Sequence, residues 1–283
     1  MVGVIDDLFH SSCMLEGNNM RRKAGDVGFR DFWRSVFYSP EGDLVSQRKL
    51  ELDTAYNARE MGGYATGRGD TRWHRFIRSG ELSSFSRGDQ RRLSEYGVRL
   101  VVDLRGDSEV RAAPDRFTEM PGVRFLHVPL YDYDLSDPKL QAGEDNENYY
   151  SLGYFTILAN REGMRQVFSF FATAEKDECV LFHCAVGMDR TGVTAMLLLG
   201  LADASLERIV ADYCYSFGTE AEVDGLIFGG KTTCRREMDI RIKAMHGVYS
   251  QLLNAYGSAE NYLLECGVTA EEIARVRAHL LEP

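Results

Sequence analysis

His183-Cys184-Ala185-Val186-Gly187-Met188-Asp189-Arg190-Thr191-Gly192 is the stretch that decides how this chain folds. Upstream, the charged run Glu175–Glu178 gives way to the apolar Cys179-Val180-Leu181-Phe182; downstream, an apolar helical pattern runs from Val193 to Leu201. That order predicts a strand, a tight loop and a helix. A loop of this kind turns successive N–H groups inward at the positive end of a helix. Cys184 would ionise easily there, because helix N-termini and nearby cations lower a cysteine pKa to roughly 3.5–7.5. Arg190 can grip two phosphate oxygens with its planar fork, and Gly187 permits positive φ within the loop. The parts add up to a thiolate inside a phosphate cradle.

Outward from the loop, the pattern predicts an α/β sheet. Arg75–Arg78 and Val98–Leu104 read as strands, the second almost continuously apolar, as in a buried parallel sheet. Between them Ser86 can cap a helix running to Tyr96, and Gly97 can end it. Val123–Leu130 reads as another strand. Alternating strands and helices imply helices on both faces of the sheet, with the active site beyond the carboxyl ends of the strands, where Cys184 lies. Residues 131–155, rich in Asp, Glu, Asn and Tyr, read as an inserted lid. Glu207–Phe217 continues helical and Gly218–Thr233 reads as a mobile, Gly-rich loop. Residues 235–283 read as three C-terminal helices, with breaks near Gly247, Gly257 and Cys266-Gly267. The expected division is an N-terminal extension over 1–50, where Phe29, Phe32, Trp33 and Phe37 recur at helical spacing, and one domain over 51–283.

The chain has 283 residues, 44% of them hydrophobic, enough for a sizeable core. No apolar run reaches membrane-spanning length. The start, Met1 to Asp7, has no basic region, so no secretory signal is expected. Cys13, Cys179, Cys184, Cys214, Cys234 and Cys266 are scattered without paired spacing, which suits reduced thiols and a cytoplasmic location, with signal-independent export left open. Neither C-x2-C nor H-x3-H occurs, so no metal is expected, and no organic cofactor. A net charge of −10 argues against a nucleic-acid partner. Attraction for an anionic substrate must then be local, from Arg190 and the loop amides.

The form H-C-x-x-G-x-D-R-T-G carries the C-x5-R signature of cysteine-dependent phosphatases. It resembles most the atypical bacterial protein-tyrosine phosphatases, whose members also attack phosphoserine, phosphothreonine and phosphoinositides and whose loop usually reads H-C-x-x-G-K-D-R-T-G. Asn57-Ala58-Arg59-Glu60-Met61-Gly62-Gly63-Tyr64 resembles that family's N-x-R-D-x-G-G-Y. Arg78-Ser79-Gly80-Glu81-Leu82 with Val101-Val102-Asp103-Leu104-Arg105 resembles its R-S-x-x-L and D-L-R pair, and Ile209 to Tyr213 its V-x-x-D-Y helix. The resemblance covers about residue 50 to the end. It implies a cysteine-phosphatase-type fold and a phosphorylated protein or phosphoinositide as substrate.

The residues themselves suggest roles. Cys184 is the expected nucleophile, and Arg190 the ligand of the phosphoryl oxygens, together with the loop Ala185, Val186, Gly187 and Met188. Thr191 can donate to the thiolate and assist its departure. His183 is expected to bond a backbone carbonyl and hold the loop. For the general acid, the resemblance makes Asp189 first choice; Asp103 is second, although an ion pair with Arg105 competes for it, and Asp132, Asp134 and Asp137 in the lid come third. Met188 departs from the family's lysine and removes a cation, which predicts a preference for singly phosphorylated substrates. A rhodanese-like sulfurtransferase also places its cysteine in a strand–loop–helix cradle, but Arg190-Thr191-Gly192 opening the helix favours phosphatase chemistry. An inactive phosphate-binding module is disfavoured by the intact Cys184, Asp189, Arg190 and Thr191.

Overall fold

The computed structural model describes residues 47–131, 147–217, 227–228, 231–232 and 235–281. The aromatic helix expected within 1–50, the lid acids Asp132, Asp134 and Asp137, and most of the loop expected over Gly218–Thr233 lie outside the described residues. A compact unit begins at Gln47 and runs to the end. In chain order its elements are β1 Arg59–Glu60, β2 Ala65–Thr66, β3 Gly69–Asp70, β4 Phe76–Ser79, α1 Arg87–Tyr96, β5 Val98–Asp103, α2 Asp107–Ala112, β6 Arg124–His127, α3 Glu147–Ala159, α4 Arg161–Phe171, β7 Cys179–His183, α5 Asp189–Leu201, α6 Leu206–Cys214, β8 Ile227–Phe228, β9 Lys231–Thr232, α7 Arg235–Tyr256, α8 Ala259–Glu265 and α9 Ala270–Leu280.

The main sheet has the order β1-β4-β7-β5-β6. β4, β7, β5 and β6 are parallel, and β1 closes one edge antiparallel. Side chains alternate across a strand. Ile77, Leu181 and Val101 therefore share one face with Leu82, Phe85, Leu93 and Phe117. Phe76 and Phe182 point the other way, onto Phe171 of α4. This is the two-sided cover that the apolar β5 and β7 predict. α5 is buried from Arg190 to Leu201, as expected for a helix apolar all round.

Register matters most for the site. Ser79 of β4 and Asp103 of β5 both pair with His183 of β7. Three parallel strands thus end level, and the loop leaves the sheet from the middle one.

Several boundaries follow the sequence closely. Ser86 caps α1 through the amide of Asp89, and Gly97 ends it at φ 104°. β6 is shorter than Val123–Leu130, because Pro129 has no N–H to offer a ladder. Residues 147–155, expected in the lid, are turns of α3 packed on α7, with Tyr150 and Tyr154 buried. One expectation fails: α7 continues through Gly247 without a break. An isolated helical glycine costs only about 1 kcal/mol relative to alanine, and here the packing of α3 and α6 on α7 outweighs it. The breaks fall at Gly257 and Gly267, with φ 78° and 93°. Among the described residues no helix is long and apolar enough to cross a membrane.

Candidate active site

The loop from Cys184 to Met188 joins β7 to α5. Its shape depends on Gly187, at φ 72°, where an added Cβ would lie 2.4 Å from the Ser79 carbonyl oxygen. No side chain fits there. Cys184 is 2% exposed. Burial alone would push its thiol up, but the Arg190 guanidinium and the neighbouring Thr191 hydroxyl and amide outweigh burial and hold it below the usual cysteine range.

A loop that aims N–H groups inward must turn its carbonyls outward, and buried carbonyls need donors. The structure supplies one for each. The Cys184 carbonyl lies 3.3 Å from Nδ1 of His183. That of Ala185 accepts from the Glu81 amide at 3.0 Å. Asn57 Nδ2 donates to the Val186 and Gly187 oxygens at 3.1 and 3.0 Å. Arg78 Nη2 donates to Gly187 at 2.9 Å and to Met188 at 3.5 Å. Arg78 is wholly buried, and its charge is met by Asp212 of α6. Asp212 also accepts from Arg59 Nε at 3.3 Å and from the Tyr64 hydroxyl at 2.9 Å. The scattered motifs around Asn57, Arg59, Tyr64, Arg78 and Asp212 therefore form one buried scaffold beneath the loop.

Arg190 is held by a residue that the sequence reading missed. Both terminal nitrogens of its guanidinium bind the Glu109 carboxylate, Nη2 at 2.9 Å, and Nη1 also donates to the Tyr131 carbonyl at 3.1 Å. Glu109 sits in the first turn of α2 and accepts the Gly106 amide at 2.8 Å. Burial would raise its pKa, but Arg190 dominates and lowers it. A bidentate carboxylate fixes the plane of the fork before substrate arrives. The sequence signal for Glu109 was its spacing from Gly106, a helix start directly after the Asp103 strand.

His183 and Asp103 lie on the far side of the loop. His183 Nε2 is 2.8 Å from Asp115 and 4.0 Å from Asp103. Burial alone would favour the neutral ring, but the two carboxylates prevail and raise its pKa. Asp103, Asp115 and His183 are close enough together to hold a metal ion. The Arg105 guanidinium, however, already binds both carboxylates, at 2.7 and 2.9 Å, and meets their charge. Asp103 is 0% exposed, and both of its oxygens accept from Arg105.

Asp189, in the first turn of α5, is surrounded by donors from three helices. Oδ1 accepts from Tyr154 at 2.8 Å, Tyr213 at 3.3 Å and Arg241 at 3.1 Å; Oδ2 accepts from Arg241 at 3.2 Å. Met188 is 2% exposed, with its sulfur 3.3 Å from Arg241 Nη1. Cys184, Ala185, Val186, Gly187, Met188, Asp189, Arg190 and Thr191 are thus gathered in one site, with His183 and Asp103 behind it. Arg241, Tyr154, Tyr213 and Glu109 were not foreseen.

A model described as the tyrosine phosphatase family matches residues 50–282. A tyrosine-protein phosphatase of Nostoc commune is 31% identical over 220 residues, covering 72% of this chain and 74% of that protein. A protein of Mycobacterium tuberculosis named triple specificity protein phosphatase PtpB is 27% identical over 274 residues, covering 82% of this chain and 98% of its own length.

Proposed function

The chain belongs to the tyrosine phosphatase family and is a phosphatase; we propose that Cys184, Arg190, Asp189 and Thr191 carry its chemistry. The thiolate of Cys184 attacks phosphorus, so an S–P bond forms as the ester P–O bond breaks. Asp189 gives its proton to the departing oxygen. The inward amides of Ala185 to Met188 and the fork of Arg190 take up the charge on the equatorial oxygens. Water then attacks the phosphocysteine and returns a proton to Asp189. Phosphate leaves, and the Thr191 hydroxyl stabilises the restored thiolate. The observation that carries this reading is Cys184 beside Arg190, at the start of the loop that leads into α5 and enclosed by that loop, whose carbonyls are turned outward and held.

We assign phosphotyrosine as the principal substrate, with phosphoserine, phosphothreonine and phosphoinositides as further ones; the relative named for triple specificity supports that breadth. A cytoplasmic setting fits the four described cysteines, all of them free. The deciding experiment is hydrolysis of an aryl phosphate by wild type and Cys184→Ser. The serine variant should lose turnover yet still bind vanadate, since the amides and Arg190 remain. Retention of more than a few per cent of activity would sink the assignment, and transfer of sulfur from thiosulfate to cyanide would favour a rhodanese. Asp189→Asn should slow alkyl phosphates by about 10²–10⁴-fold and activated aryl phosphates much less.

A further inference from the structure

We propose that Arg241 is the positioning residue for the proton donor Asp189, and that with Tyr154 and Tyr213 it sets the aim of that carboxyl group. The inference rests on the reading of Asp189 as donor.

The backbone of Asp189 is committed to the loop and the first turn of α5. Only its two side-chain torsions remain to aim the carboxyl group. Three helices meet at that group. α3 supplies Tyr154, α6 supplies Tyr213 and α7 supplies Arg241, and the two phenol oxygens also touch each other. The contacts are unequal. Oδ1 lies within reach of both hydroxyls, one of which donates to it while the other can donate to its partner phenol, and it also accepts from Arg241; Oδ2 accepts from Arg241 at 3.2 Å. Oδ1 is the anchor, and Oδ2 is the less encumbered oxygen.

Arg241 is itself fixed. Its guanidinium carbon lies 4.1 Å over the Tyr150 ring, its Nη1 touches the Met188 sulfur, and its side chain is 15% exposed. A soft sulfur at position 188 accepts that N–H, whereas a lysine ammonium there would repel it. Met188 and Arg241 thus fit as a pair. The cation that the loop lacks at 188 is delivered by α7 to the neighbouring carboxylate.

The test compares kcat and KM for an alkyl phosphate and an activated aryl phosphate in wild type, Arg241→Gln, Arg241→Lys, Tyr213→Phe and Asp189→Asn. A misaimed donor slows only the substrate whose leaving group needs a proton. In Arg241→Gln, kcat on the alkyl phosphate should therefore fall by up to about 10²-fold relative to kcat on the aryl phosphate, as for a donor displaced by about 1 Å, with KM for both little changed. Arg241→Lys should restore part of the loss, because it keeps a cationic donor. Tyr213→Phe, which removes one hydroxyl of the cluster, should lower the alkyl-to-aryl ratio by less, and serves if the glutamine variant does not fold. A ratio unmoved in Arg241→Gln and Tyr213→Phe, while Asp189→Asn lowers it, overturns the role of Arg241 and leaves Asp189 as donor. Equal losses on both substrates in Asp189→Asn overturn the two readings together.

Discussion

Asp212→Asn tests whether the loop is held from beneath. The change is nearly isosteric and lies under the loop, on α6. Among the described residues it removes the only carboxylate placed against both Arg59 and Arg78, and it turns an amide N–H₂ toward one of two guanidinium donors. Removing one partner of a buried ion pair costs about 3–5 kcal/mol, because the other charge stays buried. Against a total stability of about 5–15 kcal/mol, that is a large share. With urea slopes of about 1–3 kcal/mol per molar, the unfolding midpoint should fall by roughly 1–5 M. The pH dependence gives a second handle. Burial would raise the pKa of Asp212, but Arg78 and Arg59 bring it below the ordinary value. Its contribution is therefore present above the unfolded pKa of about 3.9 and is lost as pH falls through the lower folded value. The gap between wild type and variant should be full at neutral pH and close in acid. Catalysis should suffer too, since Arg78 carries the Gly187 carbonyl. A displacement of about 1 Å in a catalytic group can cost about 10²-fold in rate. Urea melts at several pH values, with aryl phosphate turnover on the folded fraction, measure both effects. A variant as stable as wild type refutes the buried-charge argument. A destabilised variant with near wild-type kcat refutes the link from Asp212 through Arg78 to the loop.

Arg190→Lys should slow turnover by about 10²–10³-fold, the cost of a lost transition-state donor, because an ammonium cannot match the fork or the bidentate grip of Glu109; near wild-type rates with an aryl phosphate would refute it. Asp115→Asn should weaken the imidazolium of His183, whose raised pKa contributes stability that is fully present below about 6.5 and is lost as pH rises through the folded value. Urea melts should then show a wild-type advantage that is largest in mild acid and shrinks toward alkaline pH, and an advantage independent of pH would refute it.

The loop was legible because its evidence is local. An apolar strand, a cysteine, a glycine, an arginine and an apolar helix stand in one run of residues, and Ser86 and Gly97 mark the ends of α1 as plainly. Glu109, Tyr154, Tyr213 and Arg241 were not legible as site residues, because each arrives from another element. In the sequence they look like ordinary helix-surface polar groups, and only the packing of α2, α3, α6 and α7 turns them inward. Met188 was visible as a departure from the family loop, but the direction of its side chain was not. Its sulfur packs against Arg241, so a charge at 188 would act on the α7 guanidinium as well as on a bound phosphate.

The distant motifs stand between these cases. Asn57, Arg59, Arg78 and Asp212 could be matched to a family but not explained from their own surroundings. The explanation begins with the phosphate. An inward ring of N–H groups requires outward carbonyls, which lie in the protein interior and must be met by donors. An amide from Asn57 satisfies two of them, and a guanidinium from Arg78 reaches further along the loop. A buried guanidinium demands a buried carboxylate, and α6 packs directly on α5, so Asp212 can stand below the loop without facing the pocket. That carboxylate then serves Arg59 as well, which lies on the edge strand β1 and closes the scaffold by reaching Ser216 at 3.0 Å. Each residue in the series follows from the group before it, starting at the anion that the loop is shaped to hold.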